Sequence, residues 1–318
     1  MRLDATEGMR FIAGATFWMG SDGHYPEEAP PRRVAVDGFW IDETPVSNRQ
    51  FGEFVAATGH VTLAERSPDL ALYPAADPAL RHPGSALFVQ PVGPVRLDDP
   101  SRWWQFRFGV DWRHPWGPDS SVALIADHPV VHVAYADAQA YADWQGKSLP
   151  TEAEWEFAAR GGLDRQPYAW GDELEPAGAR MANYWQGTFP FQNLMPDGHE
   201  RTSPVRSYPA NGYGLYDMIG NVWEWTSDSY AAGARRPPTA PCCVARSPRG
   251  DSQAVNDAAR RSDLVFGRKV IKGGSHLCAP NYCQRYRPAA RAAQTVDTST
   301  SHIGLRCVLR PGDCRAAP

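Results

Sequence analysis

The sequence predicts a mixed α/β fold with little regular secondary structure. Of its 318 residues, 42% are hydrophobic, which is enough for a sizeable core. Short runs of alternating apolar residues occur beside segments with the capping residues and apolar spacing of helices. Twelve Trp and twelve Tyr stand among 29 Pro and 28 Gly, a composition typical of large rings packed under long loops.

Two strands are predicted near the start of the chain. In RRVAVDGFWI (32–41), apolar residues alternate through Val34 and Val36 and again after Asp37-Gly38. This pattern predicts a strand pair that Asp37-Gly38 turns or bulges.

Three helices are predicted from their ends. The first covers 48–59, where Asn48 can cap the start and a glycine ends the pattern. The second runs over 134–144. The third lies within 151–162, where Thr151 opens a capping box completed by a glutamate, and two glycines stop the helix.

We expect one domain over residues 1–318, with loop excursions at about 66–127 and 231–268. The aromatic and basic stretch at 102–116 could stack on single-stranded nucleic acid, but ordinary packing or the lining of a substrate groove is the favoured interpretation.

Composition and charge give no indication of a nucleic-acid or membrane partner. A net charge of −4 with interspersed signs gives no reason to expect nucleic-acid binding, and no apolar run reaches the roughly 18 residues that a membrane span needs. The N-terminal segment lacks the pattern of a secretory signal, which favours the cytoplasm. We expect a monomer.

Six cysteines are too few for a disulfide scaffold in a chain of this size. Cys242 and Cys243 are adjacent in a loop rich in Pro and Arg, and Cys314 lies in the tail. A structural or incidental role is favoured for these three, since no ligand partners at metal spacing surround them.

The segment KVIKGGSHLCAPNYCQRYRPAAR (269–291) carries most of the chemical information. Cys278 and Cys283 stand five positions apart, so their thiols can meet at one soft metal ion. Nearby cations would favour the thiolate, and these are Lys272, Arg285 and Arg287. A short-loop disulfide or two buried cysteines would explain the spacing equally well.

The same segment resembles the C-terminal signature of the formylglycine-generating enzymes. The shared features are G-G-S, the two cysteines with tyrosine before the second, R-Y-R, and a closing G-L-R-C at 304–307. Further segments resemble the family in the same order, at 19–60, 128–162, 182–193 and 211–228. The resemblance implies a C-type-lectin-like variant fold. It also places Pro288 where secreted animal members have a bridging cysteine, which fits a reducing compartment.

Turning a cysteine into an aldehyde removes hydrogen from an unactivated carbon, so a redox metal or an organic cofactor is expected. The chain has no dinucleotide fingerprint. The resemblance implies copper(I) on Cys278 and Cys283, joined by the cysteine of a Cys-x-Pro-x-Arg motif in a nascent sulfatase, with dioxygen and a thiol reductant. An older, metal-free account has Cys283 form a mixed disulfide with the substrate.

The resemblance also implies roles for neighbouring residues. Ser275 would donate to an oxygen or water ligand, Tyr282 would hydrogen-bond or pass a proton, and Trp223 would wall the oxygen pocket or simply pack in the core. The implied peptide groove is lined by Arg291, Ser299 and His302.

Two structural calcium sites are implied in the same way, because calcium prefers several hard oxygens including carbonyls. Without the resemblance both sets would be taken for turn residues. The first would use Asn183, the carbonyl of Tyr184, Asp197 and the carbonyl of His199. The second would use Asp217, the carbonyls of Gly220 and Val222, and Glu224.

Two other functions remain open. Sulfoxide synthases of the ergothioneine type share the implied fold but carry an H-x-x-x-H-x-E iron motif in a helical domain, and this chain lacks that motif. Non-catalytic, lectin-like relatives generally lack the cysteine pair that is present here.

Overall fold

The computed structural model describes residues 6–73, 81–231, 245–247 and 267–313. Cys242, Cys243, Cys314 and most of the predicted excursion at 231–268 lie outside the described residues. Within the described ranges, no helix is long and apolar enough to cross a membrane.

In the described residues, short strands, three α-helices and several one-turn 3-10 helices make up the regular structure, which confirms the predicted irregular α/β class. The helices are α1 (Asn48–Thr58), α2 (Tyr135–Trp144) and α3 (Glu152–Ala159). The strands are β1 (Met9–Ile12), β2 (Ala15–Met19), β3 (Arg32–Val36), β4 (Phe39–Asp42), β5 (Gly84–Phe88), β6 (Trp104–Phe108), β7 (Trp223–Ser229), β8 (Ala245–Arg246), β9 (Arg268–Lys272), β10 (Arg291–Thr295), β11 (Ile303–Gly304) and β12 (Val308–Leu309).

The strands form several small sheets. The largest has the order β10-β9-β7-β11, in which β11 runs parallel to β7 and the other pairs are antiparallel. Two three-stranded sheets have the orders β1-β4-β12 and β2-β3-β8, and β5 pairs with β6.

The predicted strand pair at 32–41 is wrong in its pairing. Both strands exist, but β3 pairs with β2 and β4 pairs with β1, so Asp37-Gly38 carries the chain from one sheet to the other. Gly14 crosses this point so closely that a Cβ atom there would lie 2.6 Å from the carbonyl oxygen of Val36. The crossing therefore requires glycine at position 14.

The three predicted helices are confirmed, with one change of cap. Ser47 rather than Asn48 caps α1: its backbone is extended, and its hydroxyl accepts the N–H of Gln50. Gly59 ends that helix in the left-handed conformation, with φ of 68°. Thr151 caps α3 through the predicted capping box.

Helix α3 is buried along its whole length and packs against β9, β7, β2 and β3. Its three glutamates would be costly to bury alone, and each has a cationic partner. The pairs are Glu152 with Arg291 at 2.8 Å, Glu154 with Arg310 at 2.6 Å, and Glu156 with Lys272 at 3.0 Å. The Glu156–Lys272 pair holds the end of β9, the strand that leads into the cysteine segment, and the Glu152–Arg291 pair holds the start of β10.

Candidate active site

Residues 275–287, here called the cysteine loop, follow β9 through a glycine pair. Gly273 and Gly274 have φ of 98° and 72°, which side-chain-bearing residues rarely adopt. A Cβ atom on Gly274 would lie 2.6 Å from the carbonyl oxygen of Arg285, and one on Gly273 would lie 3.0 Å from the ring of Trp155. The glycines therefore let the loop fold back against the core.

The loop brings the two predicted cysteines into contact. The Sγ atoms of Cys278 and Cys283 are 3.0 Å apart, and both thiols are free. Cys278 is buried and its N–H donates to the carbonyl of Ser275, whereas Cys283 is half-buried and donates to the carbonyl of Ala279. A tight turn thus presents two sulfurs side by side, with Cys283 nearer to solvent.

The two thiols differ in acidity. The hydrogen bond from Cys278 and the guanidinium of Arg285 outweigh burial and lower the pKa of Cys283 to about 7. Burial instead raises the pKa of Cys278 well above its ordinary value. Cys283 is therefore the sulfur that ionises first, and the thiolate is the form that binds metal or attacks.

Of the three cations expected to favour the thiolate, Arg285 is placed to do so. The prediction for the other two is wrong, because each is committed to a buried carboxylate. Lys272 Nζ lies 3.0 Å from Glu156 Oε2, and Arg287 Nη1 donates to Glu28 Oε2 at 2.8 Å. The sequence does not reveal these partners, since more than a hundred residues separate each from its cation.

Tyr282 lies at the rim of the site and packs against two aromatic rings that are distant from it in sequence. Its ring stacks on Phe189 with centroids 4.6 Å apart, and Trp103 meets it edge-on at 5.5 Å. Trp103 is fully buried and belongs to the 102–116 stretch, for which packing was the favoured interpretation. Trp103 and Phe189 pack in one apolar cluster with Leu277 and Ala279, the residues on either side of Cys278.

Ser275, the first residue of the cysteine loop, and Trp223 are both buried. The hydroxyl oxygen of Ser275 accepts the N–H of Leu277 at 3.2 Å. Trp223 opens β7, donates its backbone N–H to the carbonyl of His302, and belongs to the same hydrophobic core cluster as Cys278.

The three residues expected to line a peptide groove have different surroundings. Ser299 borders a cavity of about 470 Å³ whose wall also includes Asp69, Phe106 and Asp297. The ring of His302 packs against Trp104 with centroids 4.7 Å apart, and burial lowers the pKa of His302 to about 3, so it is neutral.

Arg291 lies in a different environment. Its side chain is 5% exposed, and its Nε donates to Glu152 Oε1 at 2.8 Å. Its Nη1 has no hydrogen-bond partner among the described residues but is also buried, so burial separates this guanidinium from a peptide on the surface. The structure thus places Arg291 in the support of the sheet rather than on an open surface.

Comparison with known proteins identifies the family. Residues 2–311 match the model of the sulfatase-modifying factor enzyme 1-like domain. The chain belongs to this family. The formylglycine-generating enzyme of Mycobacterium tuberculosis is 52% identical over 301 residues, which cover 94% of this chain and 97% of that protein. A mouse relative named inactive C-alpha-formylglycine-generating enzyme 2 is 36% identical, covering 96% of this chain and 84% of its own.

Solved structures confirm the fold class of this sulfatase-modifying-factor chain. PvdO from Pseudomonas aeruginosa superposes with a TM-score of 0.58 at 21% identity, covering 94% of this chain and 93% of that chain. At this identity the likeness carries the C-type-lectin-like fold alone.

The first set of expected calcium ligands, Asn183, Tyr184, Asp197 and His199, lies in the loop between α3 and β7. The carboxylate of Asp197 accepts hydrogen bonds from Tyr208, Gln186 and the N–H of His199. The side-chain amide of Asn183 donates to the carbonyl of Arg201 at 2.8 Å. Hard oxygen donors of this kind suit calcium.

The second set contains two buried carboxylates, Asp217 and Glu224. Asp217 is buried, its carboxylate accepts the N–H of Arg206 at 2.8 Å, and burial raises its pKa. A cation would relieve that burial cost. Glu224 is different: Arg306 Nε and Trp155 Nε1 both donate to its Oε2 at 2.7 Å, so its charge is already balanced.

Both sets of expected calcium ligands include backbone carbonyl oxygens as well as side chains. In the ranges that the structure covers, no group of three or more His, Cys, Asp or Glu side chains could hold a metal ion. Any hard cation here would depend on backbone carbonyls as much as on carboxylates. Of the two carboxylates in the second set, Asp217 has its pKa raised by burial, whereas Glu224 is paired with Arg306 at 2.7 Å.

Proposed function

We propose that this chain is a copper-dependent formylglycine-generating enzyme, which oxidises a cysteine in a Cys-x-Pro-x-Arg motif of sulfatases. The observation that carries the proposal is the pair of free thiols 3.0 Å apart in the cysteine loop. The name of the relative from Mycobacterium tuberculosis, 52% identical over nearly the full chain, supports the reaction.

The proposed reaction balances with two thiols as reductant. A peptide cysteine, one dioxygen molecule and two thiols become formylglycine, hydrogen sulfide, a disulfide and water. The carbon–sulfur bond breaks, the carbon is oxidised to an aldehyde, and dioxygen is reduced. No protein side chain performs this oxidation unaided, so a redox centre is needed.

Cys278 and Cys283 fit copper(I), because two adjacent thiolates are the ligands that this soft ion prefers. When bound, the copper would supply the redox chemistry with dioxygen. The half-buried Cys283, with its pKa near 7, ionises readily and lies on the side from which a substrate sulfur can approach.

Neighbouring groups would serve the site in three ways. The rings of Phe189 and Trp103 exclude water from one side of the thiols. Burial raises the pKa of Tyr282, so its phenol keeps its proton near neutral pH and can donate a hydrogen bond at the rim. Ser275 is buried beside Cys278, as expected for a residue that orients a ligand from within.

We propose that the client is an unfolded or nascent sulfatase, met in the cytoplasm by a monomeric enzyme. A finished domain would bury the reacting cysteine, whereas an extended segment can enter a cleft. We also propose that calcium at the Asp197 and Asp217 sets is structural, since such ions clip together loop-rich folds.

A non-catalytic role is the second candidate, because one relative is named as inactive. The contact between two free thiols favours catalysis, since a purely structural loop would not need a low-pKa cysteine near solvent. The metal-free mechanism through Cys283 would use the same residue as the attacking thiolate.

The experiment is aldehyde formation on a short peptide that contains the motif. Reduced protein is loaded with copper and incubated in air with the peptide and a thiol, and the aldehyde is captured with a hydrazide. We expect labelling of this peptide and none of a matched peptide with serine at the reacting position. Failure to label either peptide with copper bound would favour the non-catalytic role.

A further inference from the structure

The stretch that follows Cys283 is held by residues from the beginning of the chain. A short segment, residues 24–28, contacts residues 284–287 across a sequence separation of about 258 residues. The backbone N–H of Gln284 donates to the phenol oxygen of Tyr25 at 3.0 Å. Arg285 forms an ion pair with Glu27 at 2.5 Å, and its guanidinium lies 3.9 Å above the ring of Tyr25.

These contacts fall into two layers. The deeper layer is the pair of Arg287 and Glu28, whose side chains are 1% and 0% exposed. Breaking a fully buried pair destabilises a protein, so this layer anchors the fold. The outer layer consists of Tyr25 and Glu27, which are half-buried and contact the two residues directly after Cys283.

The outer layer completes the restraint on Cys283. On one side, the N–H of Cys283 donates to the carbonyl of Ala279 at 3.0 Å, which closes the turn from Cys278. On the other side, the backbone at Gln284 and the side chain at Arg285 are held by Tyr25 and Glu27. Neither of these two residues hydrogen-bonds the sulfurs, so their influence on the thiols acts through the backbone after Cys283 and through the position of the Arg285 guanidinium.

We propose that Tyr25 and Glu27 are positioning residues that hold Cys283 against Cys278 and thereby strengthen both thiol pairing and copper(I) binding. The copper part rests on the proposed function, whereas the thiol pairing does not. Releasing the backbone of a residue that is otherwise fixed carries an entropic change worth about tenfold in an equilibrium constant. A loss of that size is therefore expected when both contacts are removed.

The test uses the full chain and two equilibria. The first is formation of the Cys278–Cys283 disulfide in metal-free glutathione buffers, in which glutathione disulfide is reduced to two glutathione molecules. The second is copper(I) affinity, measured by competition with a chromogenic chelator. The variants are Tyr25→Phe, Tyr25→Ala and the double variant Tyr25→Ala with Glu27→Gln.

We expect the double variant to lose about tenfold in both equilibria with little change in melting temperature. Tyr25→Phe keeps the ring under Arg285 but removes the acceptor for the Gln284 N–H, so it should show a loss between those of the wild type and Tyr25→Ala. The matched control is Arg165→Ala, which removes a guanidinium at the same 3.9 Å from the ring of Trp18 and should leave both equilibria unchanged.

Two results would overturn the positioning role. One is wild-type thiol pairing in the double variant, and the other is an equal loss in Arg165→Ala. If the wild-type protein does not bind copper(I) while thiol pairing falls as expected in the variants, the positioning role stands and the copper proposal fails.

Discussion

Lys272 offers a sharp test of which cations serve the thiols and which support the fold. The side chain is fully buried, with Nζ 3.0 Å from Glu156 Oε2 and 4.0 Å from Glu152 Oε1. Lys272→Met keeps the length of the side chain and removes the charge. Glu156 would retain Arg160, whose Nη2 lies 2.7 Å from Glu156 Oε1.

The magnitude follows from burial and from the remaining partner. Removing one member of a buried ion pair costs about 3–5 kcal/mol, because the other charge is left uncompensated. Since Arg160 still neutralises part of Glu156, we expect a loss of about 3 kcal/mol in the free energy of unfolding. For a chain of 318 residues, with an unfolding entropy of about 2.1 cal/mol/K per residue, that is a fall of roughly 4–5 °C in melting temperature.

The assay combines denaturant unfolding with the alkylation rate of Cys283 in the folded, metal-free protein. We expect Lys272→Met to lower stability and leave the alkylation rate unchanged. The control is Lys147→Met, which removes a partly exposed pair with Asp42 at 2.7 Å and should cost about 1 kcal/mol. Unchanged stability with slower alkylation would refute the reasoning and assign Lys272 to the thiolate.

Three further predictions concern substrate, calcium and acid. A motif peptide with Pro or Arg replaced by Ala should gain aldehyde much more slowly than the parent, because proline sets an extended bend and arginine offers a charged fork; equal rates would remove the recognition claim. Chelation of calcium should lower the melting temperature of the wild-type protein but not of Asp217→Asn; an unchanged wild-type value would remove the calcium proposal. Burial would raise the pKa of Glu156, but Lys272 and Arg160 outweigh it and lower that pKa. The stability that Glu156 provides is therefore present above its unfolded pKa of 4.5 and is lost as the pH falls through the lower native value, so Glu156→Gln should weaken the acid dependence of urea unfolding. An unaltered acid dependence would contradict this assignment.

Local signals in the sequence predicted the helices well, since a cap and its partner lie within one turn. Thr151 with its glutamate, and Gly59 in the left-handed conformation, are examples. Strand pairing was harder, because β3 and β4 are adjacent in sequence yet join different sheets. The crossing at Gly14 that separates them depends on contacts between distant parts of the chain.

At the site, too, the local contact was predicted from the sequence and the long-range contacts were not. The spacing of Cys278 and Cys283 predicted their contact, because five residues can form one tight turn. The environment of the thiols was predicted only in part: Arg285 faces Cys283, whereas Lys272 and Arg287 are bound to Glu156 and Glu28. A basic residue near a cysteine in sequence says little about which carboxylate it meets in the fold.

Copper(I) titration with simultaneous measurement of peptide turnover tests the central claim most directly. The titration is run on the wild-type protein and on Cys278→Ser and Cys283→Ser, each first confirmed to be folded by its melting temperature. We predict that wild-type turnover rises with copper and saturates at one ion per chain, and that each serine variant loses tight binding and turnover together. Full activity in either serine variant would contradict the account.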